Sequence, residues 1–180
     1  MPTPKNERLA PPLMHAFRAA HAARDAKLEV DIRDRGDRVI ASRRATSRAP
    51  ISESELRKLV NSDLVALFNT TNLESAEDLS STPEVRTSIL NFGFPDLTRL
   101  TIDENEVNTI AREIETALRI FEPRLAPDSI KARRDALVTA DTLHVRFLVS
   151  AELRAHPVNV QTEFIAELEV DSGKVKIDRL

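Results

Sequence analysis

The run Phe121-Glu122-Pro123-Arg124-Leu125 marks the place where this chain changes from helical to strand periodicity. Before it, residues 104–121 place apolar side chains three or four positions apart, as amphipathic helices do, at Val107, Ile110, Ala111, Ile114, Ala117, Leu118 and Phe121. Pro123 ends that helix, because proline has no amide hydrogen and its ring clashes with the preceding turn. After it, apolar and polar residues alternate over 143–153 and 163–170, which is typical of strands with one buried face. The sequence therefore predicts an α+β fold, in which N-terminal helices and one long amphipathic helix pack on a three- to four-stranded antiparallel sheet.

The end of the chain contains a hairpin signal, Asp171-Ser172-Gly173-Lys174. A two-residue turn at Ser172-Gly173 predicts a register with the cross-strand pairs Val170–Val175, Leu168–Ile177 and Glu169–Lys176. Residues 125–135 are predicted to add a first, weaker strand. The last strand leaves a sheet edge to which a partner could add a strand.

Two shorter helices are predicted upstream. The first opens with the capping box Ser52-Glu53-Ser54-Glu55, in which Ser52 accepts from the Glu55 amide and Glu55 reaches back. It ends at 69–72, and its apolar face consists of Leu56, Val60, Leu64, Leu67 and Phe68. The second has Thr82 as N-cap and Pro83 in its first position, and is expected to stop near residues 91–93.

The chain is expected to divide at residue 50. Residues 1–50 are predicted to form a basic arm and linker, partly helical or disordered, with a helix-permissive stretch over 13–32 and linkers at Gly36 and 42–50. Residues 51–180 are predicted to form the folded α+β domain. The arm carries 11 Lys and Arg against 6 Asp and Glu, and the remainder carries 15 against 23, so a +5 arm precedes a −8 body.

Composition limits the classes of protein to which the chain can belong. It has no cysteine, so it has no disulfide framework and no thiolate metal site. No apolar run is long enough for a secretory signal or a membrane span. We therefore expect a soluble, cytoplasmic protein without direct membrane insertion.

The residues that could carry chemistry lack the spacing that chemistry requires. Glu163, Glu167 and Glu169 share the outer face of one predicted strand, where no apolar pocket could raise the pKa of one carboxyl group. The histidines, His15, His21, His144 and His156, have no metal-ligand spacing. Three glycines are too few for a phosphate-binding loop, and no nucleophile elbow surrounds any serine. The sequence predicts no catalytic, cofactor-binding or metal-binding residue, and a protein that is not an enzyme.

Glu122 and Arg124 at the end of the long helix allow two interpretations. In one, Arg124 answers the negative end of the helix dipole and Glu122 is solvated. In the other, both side chains project from a corner fixed by Pro123 into a polar contact with a partner, for which the planar guanidinium is well suited. Under the second interpretation, alanine at either position would leave the fold nearly intact and weaken assembly.

Two stretches carry a family resemblance. Ser88-Ile89-Leu90-Asn91-Phe92-Gly93, followed by Pro95-Asp96-Leu97, lies about 30 residues before the Phe121–Leu125 run. Together they resemble the TssE family of type VI secretion baseplate proteins and its relatives in contractile phage baseplates. The resemblance is collinear over about residues 37–180, beginning at Asp37-Arg38-Val39-Ile40.

The resemblance implies a small, non-enzymatic wedge subunit of a contractile-injection baseplate. Such a subunit would join TssF and TssG, and its sheet, similar to the docking module of the sheath proteins TssB and TssC, would help to start sheath polymerisation. It implies partner-binding roles for two groups of residues, Glu122, Pro123 and Arg124, and Asn91, Phe92 and Gly93.

Two functions of other classes stay open. The family is often labelled lysozyme-related, which leaves a peptidoglycan hydrolase as one alternative. The basic arm leaves a nucleic-acid-binding module as the other. Against both, we expect neither a nucleic acid nor a small-molecule substrate as a partner.

Overall fold

The computed structural model describes residues 9, 11–22, 24, 31–34, 37–41, 51–99, 104–135, 144–155, 158–169 and 171–179. The helices are α1 Leu13–Ala22, α2 Glu53–Phe68, α3 Pro83–Arg86 and α4 Glu104–Phe121. The strands are β1 Asp31–Asp34, β2 Asp37–Ala41, β3 Lys131–Arg134, β4 His144–Leu153, β5 Val160–Glu169 and β6 Val175–Arg179. The chain divides into two compact units, one of residues 1–60 and 155–157, the other of residues 61–154 and 158–180.

The first unit contains a strand pair whose first two residues, Asp31 and Ile32, lie in the stretch predicted as helix-permissive. α1 ends at Ala22, and Asp31–Asp34 is strand β1, which pairs antiparallel with β2 so that Ile32 lies opposite Ile40. The predicted helix over 13–32 is therefore too long, because composition is a weak guide where strand pairing can satisfy the same backbone groups. Gly36 and residues 42–50, the predicted linkers, lie outside the described residues.

Helix α2 confirms the predicted apolar face and half of the predicted capping box. The Glu55 amide donates to Ser52 Oγ over 3.2 Å, whereas the described part of the chain shows no return bond from the Glu55 carboxylate. Instead, Ser52 Oγ lies 3.0 Å from Ser54 Oγ. The five predicted core residues of this helix are all buried: Leu56, Val60, Leu64, Leu67 and Phe68.

The second unit contains α4 and a four-stranded antiparallel sheet with the order β3-β4-β5-β6, which confirms the predicted fold class. Helix α4 has the predicted bounds, and it buries Val107, Ile110, Ile114, Ala117 and Leu118. β4 buries every second residue: Val145, Phe147, Val149, Ala151 and Leu153. The weak strand predicted within 125–135 is β3, which pairs with β4.

The predicted register of the last hairpin is wrong by two positions. Leu168 lies opposite Val175, and Glu167, not Glu169, lies opposite Lys176. The turn is longer than two residues, because the Gly173 amide donates to the Glu169 carbonyl over 2.8 Å with Gly173 at φ +66°. A shift of two residues keeps each side chain on its face, so Val175 and Ile177 are buried as expected.

The second short helix is also shorter than predicted. α3 begins at Pro83, as expected, but it ends at Arg86, and Thr82 makes no side-chain capping bond. A separate 3₁₀ turn, Ile89–Asn91, follows it. Within the described residues, no helix combines the length and the apolarity needed to cross a membrane.

Candidate functional site

The chain turns sharply after α4. The Glu122 amide makes the last helical bond, to the Leu118 carbonyl at 3.0 Å, and Pro123 lies exposed at the apex. Leu125 is buried and forms a bridge with Leu153, while the Arg154 amide donates to the Arg124 carbonyl over 2.7 Å. The corner is therefore fixed on both sides, by the end of α4 and by the end of β4.

The side chains of this corner form a cluster of one arginine and two carboxylates. Arg124 Nε donates to Glu122 Oε1 over 2.6 Å, and Arg124 Nη2 donates to Glu122 Oε2 over 2.5 Å. The same Nη2 lies 2.6 Å from Oδ2 of Asp63, which belongs to α2. The Glu122 carboxylate also accepts from the Arg124 amide over 3.2 Å. We call these three residues the corner cluster.

Burial shows which charge depends on which partner. Glu122 is only 4% exposed, and among the described residues its carboxylate bonds to Arg124 alone. Burial acts to lower the pKa of Arg124, but the hydrogen bonds and charges of Glu122 and Asp63 outweigh it and raise that pKa. The cluster is thus an ion pair in which the arginine stays charged and neutralises a buried carboxylate.

The geometry revises the first interpretation of the corner. Glu122 is buried, not solvated. Arg124 forms ion pairs with two carboxylates, those of Glu122 and Asp63, in addition to any interaction with the helix dipole. Loss of Arg124 is therefore expected to damage the fold, contrary to the expectation from sequence. A partner-binding role for residues 122–124 stays a prediction, and about a fifth of the Arg124 side chain is exposed to take part in one.

The second predicted group, residues 91–93, lies in the turn after α3. The buried Asn91 side chain accepts from the Glu74 amide over 2.9 Å and donates to the Arg86 carbonyl over 3.1 Å. It thereby joins two backbone segments that are not neighbours in sequence. Because both bonds are internal to the chain, the described contacts of Asn91 are structural ones.

Gly93 allows a close backbone approach. Its φ is +137°, and a Cβ at this position would lie 2.4 Å from the Thr70 carbonyl oxygen. On the same stretch, the Phe94 amide donates to the Thr70 carbonyl over 2.7 Å, and the Asn72 amide donates to the Phe94 carbonyl over 3.0 Å. Only glycine fits this conformation and this gap.

The structure brings the two predicted groups together. The Phe92 ring packs edge-to-face on Phe121, with ring centroids 5.5 Å apart. Phe121 is the last residue of α4 and immediately precedes the corner cluster. Such a ring contact contributes about 1 kcal/mol beyond area burial, so the turn and the corner support each other.

The sequence did not indicate the two most exposed large apolar residues of this region. Ile89 and Leu90 are 77% and 70% exposed, although both are large and apolar. Their position directly before Asn91 is the one sequence signal that could have drawn attention to them. The helix that was expected to continue towards residues 91–93 gave no reason to expect these two side chains to be exposed to solvent.

Two carboxylates of β5 have partners, one on the neighbouring strand β4 and one in the turn that follows β5. Glu167 Oε1 lies 3.2 Å from Arg146 Nε, and Glu169 accepts from the Ser172 hydroxyl over 2.5 Å. Over the residues that the structure describes, no group of three or more metal-ligating side chains is close enough to hold an ion. These contacts match a solvated strand face with cross-strand pairs.

We expect Glu113→Gln, on α4, to raise Tm at pH 7 by about 1–2 °C. Partial burial, together with the negative charge of Glu74, raises the pKa of the Glu113 carboxyl. A raised pKa means that the charged form costs stability at neutral pH, and this cost disappears as the pH falls through the folded-state value. Thermal unfolding at pH 7 and pH 4 measures the difference, which should be absent at pH 4.

The control for this variant is Glu84→Gln, at an exposed position of α3. It removes the same charge without relieving burial, so its Tm should not rise at either pH. A Glu113→Gln variant that is no more stable than the parent at pH 7 would contradict the assignment.

A family model for baseplate wedge protein gp25 matches residues 54–158, which is more than half of the chain. The matched range contains the corner cluster and the 91–93 turn, and it ends before β5. No curated protein matches the chain.

Proposed function

The chain belongs to the family of baseplate wedge protein gp25, which is also the family of TssE, and we propose that it is a non-enzymatic wedge subunit of a type VI secretion baseplate. In this role it joins TssF and TssG in the cytoplasm and helps to start the TssB/TssC sheath. The observation that carries the proposal is the family match over residues 54–158, joined to the sequence resemblance at residues 88–97 and 121–125.

The corner cluster supports a docking role through preorganisation. Arg124 is held by the buried Glu122 and by Asp63, so its position is fixed before any partner arrives. A fixed side chain loses little conformational entropy on binding, which favours assembly. In this proposal, exposed Pro123 and the exposed part of Arg124 contact TssF or TssG, while Glu122 positions the arginine.

The outer edge of β6 supports the proposed contact with sheath subunits. The Asn69 side chain pairs with Val175 through two bonds, Nδ2 to the Val175 carbonyl at 2.8 Å and the Val175 amide to Oδ1 at 3.1 Å. Outward-facing backbone groups recur at every second residue of an antiparallel edge strand, so the next ones belong to Ile177. A cleft of about 570 Å³ runs beside this edge, lined by residues that include Val65 and Lys176. In the proposal, a sheath strand adds beyond Val175.

The test is co-purification of the wild-type chain with co-expressed TssF and TssG from the same source. We expect a stable complex of the three proteins. The matched variant is Arg124→Lys, which keeps the charge beside Glu122 but loses the planar fork, and it should weaken the complex while the chain stays folded.

Wild-type chain that fails to bind TssF and TssG would overturn the proposal. So would clearing of a peptidoglycan suspension by the purified chain, because the wedge role gives no reason for hydrolysis. Circular dichroism of Arg124→Lys separates a lost contact from a lost fold.

A further inference from the structure

Two neighbouring apolar side chains, Ile89 and Leu90, project into solvent from the second unit. Their exposed fractions of 77% and 70% are the highest among the large hydrophobic residues that the structure describes. A single exposed apolar residue is ordinary on a protein surface. In an adjacent exposed pair, two neighbouring side chains lose the free energy that burial would provide. An exposed apolar pair of this kind is typical of a protein–protein interaction site.

The backbone that presents this pair is held on both sides. The Leu90 amide donates to Ser88 Oγ over 3.2 Å, and the Phe92 amide donates to the Ile89 carbonyl over 3.2 Å. Asn91, directly after the pair, is buried and bonded to two other segments. The two side chains therefore project from a fixed 3₁₀ turn, and little backbone entropy is lost when a partner binds them.

The segment that leads to the pair is acidic in sequence. Residues 72–91 contain Glu74, Glu77, Asp78 and Glu84 but a single basic residue, Arg86. Arg86 lies 2.6 Å from Glu74, so its positive charge already forms an ion pair within the chain. Burial, and then the negative charge of Glu74, raise the pKa of the Glu113 carboxyl on α4, so the charge of Glu74 also reaches that helix.

We propose that Ile89 and Leu90 anchor a docking surface for a partner protein with an apolar pocket rimmed by lysine or arginine side chains. The proposal rests on the baseplate function above and names the residues that make one of its contacts. Asn91, Phe92 and Gly93 are then positioning residues, which hold the turn without touching the partner. A second copy of the chain fits less well, because the same face of that copy would bring the same acidic residues against these.

The test measures the affinity of the purified chain for a purified TssF–TssG complex. The variant is the double substitution Ile89→Ser and Leu90→Ser, and we expect it to bind at least tenfold more weakly. Since both side chains are mostly exposed, its Tm should match that of the parent. The matched control is Val158→Ser, which removes another exposed apolar side chain, 53% exposed, and should bind like the parent.

Each outcome bears on the proposal separately from the baseplate function. Double-variant binding within twofold of the parent would overturn the docking surface while the wedge role stands. Failure of the wild type to bind would overturn both. A wild type that self-associates in analytical ultracentrifugation, with self-association lost in the double variant, would assign the surface to a second copy instead. Binding that weakens with salt in the wild type would support the basic rim.

Discussion

Arg124→Ala is expected to lower the free energy of unfolding by about 3–5 kcal/mol, because it leaves a buried carboxylate without its partner. Glu122 is 4% exposed, and Arg124 satisfies both of its oxygens. The truncation also removes the contact with Asp63 at 2.6 Å, which joins α2 to the corner. Urea unfolding followed by circular dichroism measures the change.

Arg119→Ala is the matched control, since it breaks another arginine–carboxylate pair, which lies on α4 just before the corner. Arg119 lies 2.8 Å from Glu115, but these side chains are 39% and 20% exposed. Solvent screens such a pair, so the expected loss is below about 1 kcal/mol. If both variants lose the same free energy, burial of Glu122 is not what makes Arg124 important.

Gly93→Val is expected to cost about 4 kcal/mol, which combines backbone strain with overpacking. The valine would have to adopt φ +137°, and its Cβ would meet the Thr70 carbonyl oxygen at 2.4 Å. The neighbouring backbone cannot give way easily, because the Phe94 amide donates to the Thr70 carbonyl and the Asn72 amide donates to the Phe94 carbonyl across the same gap. The measurement is the midpoint and slope of urea unfolding.

Gly173→Ala tests whether positive φ alone explains such a loss. Gly173 has φ +66°, but a Cβ there would lie 3.0 Å from Thr98 Cγ2 and an ordinary 3.9 Å from the Thr98 backbone nitrogen. We expect a cost of about 1 kcal/mol, from conformation with little clash. A Gly93 variant no worse than this control would show that the close approach to Thr70 does not limit the site.

Both large predictions affect how binding experiments on this chain are interpreted. Arg124 and Gly93 lie in the two stretches that resemble the TssE family, and each holds part of the fold. A variant at either position can lose assembly simply by unfolding. The double substitution at Ile89 and Leu90 avoids this problem, because those side chains contribute little to the core.

Elements defined by periodicity were predictable from the sequence. Helix α4 has the predicted bounds because a long amphipathic pattern ended by Pro123 leaves few alternatives. The alternation over β4 predicted its buried face correctly, since strand side chains point to opposite faces in turn. The family match later confirmed the resemblance drawn from residues 88–97 and 121–125.

Elements defined by local alternatives were less predictable. The sequence predicts a two-residue turn after β5, but Gly173, in the left-handed region, closes a longer turn, and the register differs from the predicted one by two residues. The stretch 13–32 has helix-permissive composition, yet its last two residues, Asp31 and Ile32, belong to strand β1. In both places the local sequence is compatible with more than one backbone arrangement, and the pairing of two consecutive strands decides between them.

The sequence by itself determined the fold class, the long helix, the buried faces and the family. Only the tertiary structure decided the chemistry of the corner, because Asp63 meets Arg124 across 61 positions of sequence. It also decided that Glu122 is buried and that Ile89 and Leu90 are exposed. The physical reason is that periodicity reports which face of an element is apolar, whereas ion pairing and exposure depend on how separate elements meet.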